Sequence, residues 1–482
     1  MQYQSTRNHA TVVTSSEAIV RGLTPDGGLF VPQAFPAADL EGWKDLSYPE
    51  LAAKVLALYL TDYDPEFLRR AAHEAYGEAF GGKAGFVRKV SGGLHSLELW
   101  HGPTSAFKDY ALQLMPKLLV QAKKNLNRTE HTRILVATSG DTGKAALAGY
   151  AGLEGIDIAV FYPNDGTSEI QRLQMATQTG DNVAVYAVQG NFDDAQTGVK
   201  KVFGDAAVAE ELAARDIRLS SANSINWGRL APQIVYYFYA YFRLAEQGEV
   251  KWGEPVDFCV PTGNFGDILA GYYAKRMGLP VGRLVCASNR NNVLTDFINT
   301  GVYDKRREFY KTTSPSMDIL ISSNLERLLY HVTGDDAKVA AWMQELNTTG
   351  IYKVDEATLA AIRESFDCGC AGDEDAAAQI RTRFEVDGYL CDPHTAVAFR
   401  VAEENRTAAP MVVLSTASPF KFPRDVLAAL GETVPDSDFA AMKQLTAKTG
   451  CEAPAALAAL ETLPVRFDTI IAPEGIRTAA LR

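Results

Sequence analysis

The feature that most restricts the fold is a recurring succession of short apolar strands, each followed by a loop rich in small polar residues. Ile134-Leu135-Val136-Ala137 runs into Thr138-Ser139-Gly140-Asp141-Thr142-Gly143, and a helix follows from Lys144-Ala145-Ala146-Leu147. Phe258-Cys259-Val260 runs into Pro261-Thr262-Gly263-Asn264-Phe265-Gly266-Asp267, and a helix follows over Ile268–Met277. Near the end, Met411-Val412-Val413-Leu414 runs into Ser415-Thr416-Ala417-Ser418-Pro419. Further strands are expected at Ile158–Tyr162, Val183–Val188 and Leu284–Ala287, with helices over Ser168–Thr179 and Asp193–Ala214. Strands apolar on both faces and alternating with helices indicate parallel sheets covered on both sides. The fold class is therefore α/β.

Residues 1–98 read differently. The Asp26-Gly27-Gly28 turn precedes Leu29-Phe30-Val31-Pro32, and helical periodicity runs over Tyr48–Leu60 and Pro65–Phe80. These residues are expected to form an N-terminal domain, ahead of one α/β domain over 99–225 and a second over 226–482. A chain of 482 residues can bury two or three separate cores. The region 301–390 is more polar and irregular, and its pattern alone points to no site.

Ligands of open α/β sheets bind at the carboxyl ends of the strands. Two of the three strand-end loops, Gly140–Gly143 and Gly263–Gly266, also open helices, so each offers free N–H groups and a positive dipole end to an anion. Such turns serve tight connections as often as ligands, so they carry weight only together. Gly143-Lys144 does not complete a P-loop, because Thr138 stands at the required first glycine and Ala145 follows the lysine. A third polar cluster, Ser220-Ser221-Ala222-Asn223-Ser224-Ile225-Asn226-Trp227-Gly228-Arg229, precedes the apolar helix Gln233–Leu244. Its hydroxyls, amides and one arginine would make a bed for a phosphate, or simply cap the helix.

The stretch His101-Gly102-Pro103-Thr104-Ser105-Ala106-Phe107-Lys108-Asp109 opens an amphipathic run expected to be helical over Asp109–Gln121. Lys108 then sits at a helix start, where the positive dipole end repels a cation. That placement lowers the amine's pKa and frees its lone pair, as Schiff-base chemistry requires.

Composition removes several functions. The formal charge is −12, from 47 Lys+Arg against 59 Asp+Glu, and no basic block suits nucleic acid or an anionic membrane. No apolar run approaches a membrane span, and the N-terminus lacks a signal-peptide core, so a cytoplasmic protein is expected. Cys368-Gly369-Cys370 is too tight for the usual zinc or redox spacing. Free thiols and no metal site are expected.

Taken together, the motifs HGPT-x-AFKD, SGDTG, GNFGD and S-x-NSIN-W-x-R resemble the threonine synthase family in its longer bacterial and fungal form. The resemblance extends to Arg21–Leu29 (RGLTPDGGL) and Thr313–Asn324 (TSPSMDILISSN). It implies a fold-type-II pyridoxal-phosphate enzyme with two open, twisted, mainly parallel sheets of the tryptophan-synthase-β kind behind an N-terminal domain. Lys108 matches the lysine that carries pyridoxal 5'-phosphate. Gly263, Asn264, Phe265, Gly266 and Asp267 match the loop holding the cofactor phosphate, and Thr416 the hydroxyl facing the pyridine nitrogen. Thr104, Ser139, Asp141, Thr142, Asn223, Ser224, Asn226 and Arg229 match the surroundings of the substrate's carboxylate and phosphate. The implied reaction turns O-phospho-L-homoserine and water into L-threonine and phosphate, in a monomer or homodimer. Relatives of this fold type also use the cofactor for dehydration or β-replacement, but generally lack the GNFGD and SINW combination. A homologue that binds cofactor without turnover is a further alternative. Ser418 and Phe420 depart from a His and an Ala common among relatives, Ser105 occupies a variable position, and Arg290 is basic where relatives often carry an acid.

Overall fold

The computed structural model describes residues 1–164 and 167–482. Its largest sheet orders six strands as Phe366–Cys370, Val281–Ser288, Val256–Pro261, Met411–Ser415, Leu94–Glu98 and Phe86–Ser91. All neighbours run parallel except Phe86–Ser91, which pairs antiparallel at the edge. A second sheet orders Ile470–Ile471, Val183–Val188, Ile156–Pro163, His131–Ala137 and Ile217–Ser220, all parallel. Val256–Pro261 and Met411–Ser415 are buried at every position. Burial on both faces is what their unbroken apolar runs require. The helix Trp227–Glu246, almost wholly buried, packs against the helices Tyr48–Tyr59 and Gly266–Arg276.

The division at 98 and 225 does not follow the sheets. Phe86–Ser91 and Leu94–Glu98 belong to the six-stranded sheet, and Ile470–Ile471 returns to the five-stranded one. The smaller three-stranded antiparallel sheet of the N-terminal region ends at Phe30–Pro32. The strand Phe366–Cys370, in the region that reads as irregular, escapes its sequence pattern because only Phe366 is fully buried at this sheet edge.

Two expected helices are broken. Asp193–Ala214 becomes Phe192–Gly204 and Ala206–Ala213, because Asp205 turns extended (φ −88°, ψ 105°) and caps the second helix. Asp109–Gln121 becomes Asp109–Leu112 and Met115–Asn125. Pro116 lies in the first turn of the latter, where its missing N–H is harmless, but it cannot bond the carbonyl of Leu112. That carbonyl instead faces the helix Asp141–Tyr150: a Cβ on Gly149 would lie 1.9 Å from it. The helix that follows Lys108 and the helix opened by SGDTG can meet this closely only over a glycine.

Gly149→Ala therefore reverses the usual helix preference. Alanine ordinarily stabilises a helix interior by about 1 kcal/mol over glycine. Here the clash is with backbone, and a loss of about 1–3 kcal/mol is expected, as for an overpacked core. The midpoint of urea unfolding reads the sign directly.

Candidate active site

A cavity of about 350 Å³ opens beside loops that follow strands of both sheets, lined by Lys108, Ser139, Arg229, Asn264, Ser316 and Thr416 among others. Its floor is made by two loops laced together. Phe107 N–H donates to Thr416 O (2.8 Å) and Ser418 N–H to Ser105 O (3.1 Å), around an antiparallel bridge between Ala106 and Ala417. Ser105 takes a left-handed backbone (φ 59°) to make this turn. Asp109 closes the loop from behind, accepting from Thr104 N (2.8 Å) and Thr104 Oγ1 (2.8 Å). Gly102 is needed there, since a Cβ would lie 2.5 Å from the Asp109 carboxylate.

Lys108 is the residue just before the helix Asp109–Leu112. Its Nζ donates to Ser316 Oγ at 3.1 Å and lies 3.6 Å from Asp141 Oδ2. The other Asp141 oxygen meets Lys421 Nζ at 2.6 Å and accepts from Gln171 Nε2 at 2.8 Å. One buried carboxylate thus serves two lysines. Burial lowers the Lys108 pKa; Asp141 opposes the shift, and Lys421 and Arg229 add to it. Burial alone would raise the Asp141 pKa, but the two lysines overcome it and hold the group far below the usual carboxylate range.

The Gly263–Asp267 loop ends in Phe265, left-handed at φ 60°, and opens the helix Gly266–Arg276. Ser322 Oγ donates to Gly263 O (2.8 Å) and Asn324 N–H to Asn264 O (3.0 Å). The Asp267 carboxylate turns to the hydroxyls of Tyr236 and Tyr237, and burial pushes its pKa to about 7. Its other oxygen, Oδ2, has no partner among the described residues. On the opposite wall, Arg229 is 4% exposed and donates from Nη1 to Ala222 O (2.5 Å). Its Nε–H has no partner among the described residues. Burial brings its pKa down to about 10, so it stays charged and underused.

The expected site residues divide on this geometry. Lys108, Ser139, Thr142, Asn223, Ser224, Arg229, Gly263, Asn264, Phe265, Gly266, Asp267 and Thr416 all line the cavity. Thr104 and Asn226 lie behind its wall: Thr104 is bound to Asp109, and Asn226 caps its helix through Gly228 N–H (2.9 Å) while donating to Ile19 O (2.9 Å). Asp141 stands beneath Lys108. Ser418 and Phe420 are buried away from the cavity, Ser418 Oγ accepting from Phe420 N–H (3.3 Å). Arg290 stacks over the Tyr310 ring at 3.7 Å. Ser316, His394 and Lys421 are the residues the sequence reading missed. Their only signals were the TSPSMD stretch and the lysine of LSTASPFKFP.

This donor set fits pyridoxal phosphate. A buried amine with a lowered pKa faces a cavity whose wall includes a glycine-bearing helix N-terminus for a phosphate and the neutral residue Thr416. Among the described residues no group of His, Cys, Asp and Glu is placed to hold a metal ion.

Known proteins agree. Residues 2–76 match the model for the threonine synthase N terminus, 91–417 that for pyridoxal-phosphate dependent enzymes, and 395–478 that for the threonine synthase C-terminal region. The threonine synthase of Pseudomonas aeruginosa is 42% identical over 439 residues, which is 88% of this chain and 90% of that one. Human threonine synthase-like 1 is 41% identical over 86% of this chain, which spans only 58% of the human protein. A pyridoxal-phosphate-bound threonine synthase from Brucella melitensis superposes with a TM-score of 0.89 at 39% identity, covering 100% of this chain and 99% of that one. The chain belongs to the threonine synthase family of pyridoxal-phosphate-dependent enzymes.

Proposed function

We propose that this protein converts O-phospho-L-homoserine and water to L-threonine and phosphate. The observation that carries the reading is one cavity that joins the Lys108 amine to the buried Arg229, whose Nε–H has no partner among the described residues. Pyridoxal phosphate, when bound, supplies an electron sink for negative charge developing on the substrate carbons. The N–H groups of Gly263–Gly266 would hold the cofactor phosphate, Asp267 braces that loop through Tyr236 and Tyr237, and the Thr416 hydroxyl would serve as the neutral partner of the pyridine nitrogen. A hydroxyl does not enforce a protonated ring, which tempers the sink.

Ser139, Thr142, Asn223, Ser224 and Arg229 bind the substrate's two anionic groups. The phosphate is both a handle remote from the α-proton and the leaving group, so binding it helps to hold the reacting carbons in place. Lys108 moves protons at Cα and Cβ as general base and acid, and burial lowers its pKa toward the neutral amine that a base requires. Among the described residues no helix is long and apolar enough to cross a membrane. The six cysteines are unpaired, which supports the reading of a cytoplasmic enzyme, monomeric or homodimeric.

Purified protein supplied with pyridoxal phosphate and O-phospho-L-homoserine should release threonine and phosphate in equal amounts. A 2-oxo acid with ammonia would show elimination instead and sink the assignment. Arg229→Ala should lower kcat/KM for the phosphorylated substrate about 10²–10³-fold, in line with truncating a buried, charged hydrogen-bonding group. Cofactor affinity, followed by absorbance titration, should change by less than about threefold. Equal losses of both would move Arg229 to the cofactor.

A further inference from the structure

We propose that Ser316 is a positioning residue for Lys108, its hydroxyl oxygen holding one N–H of the free amine so that the lone pair faces the substrate. The inference rests on the proton-moving role of Lys108 given above. A neutral primary amine has two N–H groups and one lone pair, and rotation about Cε–Nζ scrambles them unless an acceptor fixes one. Among the described residues Ser316 Oγ, at 3.1 Å, is that acceptor. Asp141 Oδ2, at 3.6 Å, is beyond ordinary hydrogen-bond distance and acts chiefly through its charge.

The placement of this hydroxyl is clamped from three sides. Ser316 lies in the single turn Pro315–Met317, and its N–H donates to His394 Nε2 at 3.1 Å. That bond makes Nε2 the acceptor, so Nδ1 carries the proton and donates to Asp392 Oδ1 at 2.8 Å. His394 is 2% and Asp392 0% exposed, at the start of the helix Pro393–Glu404. On the second side, the Ser316 carbonyl oxygen lies 2.7 Å from where a Cβ on Gly263 would be, so the turn packs directly on the glycine loop. On the third, the Asp318 carboxylate accepts from Thr312 N (3.0 Å), Asn289 Nδ2 (2.8 Å) and Asn291 Nδ2 (2.9 Å). A turn needed only to cover the cavity would require none of this to aim one hydroxyl at Lys108. These contacts together fix the turn that carries the Ser316 hydroxyl.

The test compares Ser316→Ala and Ser316→Thr holoenzyme with the unaltered protein. The readouts are the visible absorbance of bound cofactor, kcat and KM for O-phospho-L-homoserine, and exchange of the substrate α-proton in D₂O followed by NMR. Loss of a group that fixes a reacting atom costs on the order of 10- to 100-fold in rate. Ser316→Ala should lose that much in both kcat and α-proton exchange, with KM and cofactor absorbance within about threefold of the original. Ser316→Thr, which keeps the hydroxyl, should recover most of the exchange rate. Unchanged exchange in Ser316→Ala would overturn the proposal. So would equal losses in both variants accompanied by lost cofactor, the pattern of a turn that merely supports the wall. If the unaltered protein exchanges the α-proton but forms no threonine, the overall reaction is refuted, and the exchange ratio between variant and parent still decides for or against Ser316.

Discussion

A single buried carboxylate governs the chemistry of this cavity. Asp141 is 3% exposed and lies between Lys421 at 2.6 Å and Lys108 at 3.6 Å. An isolated charge at this depth would be expensive, and removing one partner of a buried pair typically costs about 3–5 kcal/mol. Lys421, with no exposure at all, takes the shorter contact and also donates to Thr104 O at 3.2 Å. Lys108 receives what remains of the field. It is neutralised too weakly to be a settled ion pair and buried too deeply to be an ordinary surface ammonium. With Arg229 also facing the cavity, positive charge exceeds negative, and that surplus suits ligands bearing phosphate and carboxylate groups.

Placing that carboxylate is the work of the sheets. Asp141 begins the helix after the strand His131–Ala137, whereas Lys421 follows the strand Met411–Ser415 of the other sheet. Lys108 comes from the loop after Leu94–Glu98, the neighbour of Met411–Ser415. Parallel order puts the carboxyl ends of each sheet's strands on one edge of that sheet, residues after both edges line the cavity, and lacing Phe107 to Thr416 and Ser105 to Ser418 fixes the two loops against each other. The close approach at Gly149 then sets how far the Asp141 helix lies from the Lys108 helix.

Much of this was legible in the sequence because it is local. Apolar runs such as Ile134–Ala137 and Met411–Leu414 announce buried strands, and the glycine-bearing loops after them announce helix starts. Asn226 illustrates the ambiguity of such signals: a polar residue before a helix reads equally as a ligand contact or a cap, and here its side chain caps. The helix break before Pro116 was written in the proline itself but was hidden by an otherwise continuous amphipathic pattern. Lys421 and Ser316 could be read only as members of motif stretches, not as site residues. Nothing around Lys421 distinguishes a buried lysine from a solvated one until Asp141, 280 positions earlier in the numbering, is brought to it. Ser316 acquires its neighbours from residues 108, 263 and 394, all distant along the chain.

The most direct measurement on the shared carboxylate is the pH dependence of kcat for Lys421→Met. Removing the competing cation returns the whole Asp141 charge to Lys108, which favours its protonated form and raises its pKa. A general base is active above its pKa, so the acid limb of the kcat profile should move to higher pH, with the alkaline plateau retained. An unchanged limb, or one moved to lower pH, would show that Lys421 does not govern the charge felt by Lys108.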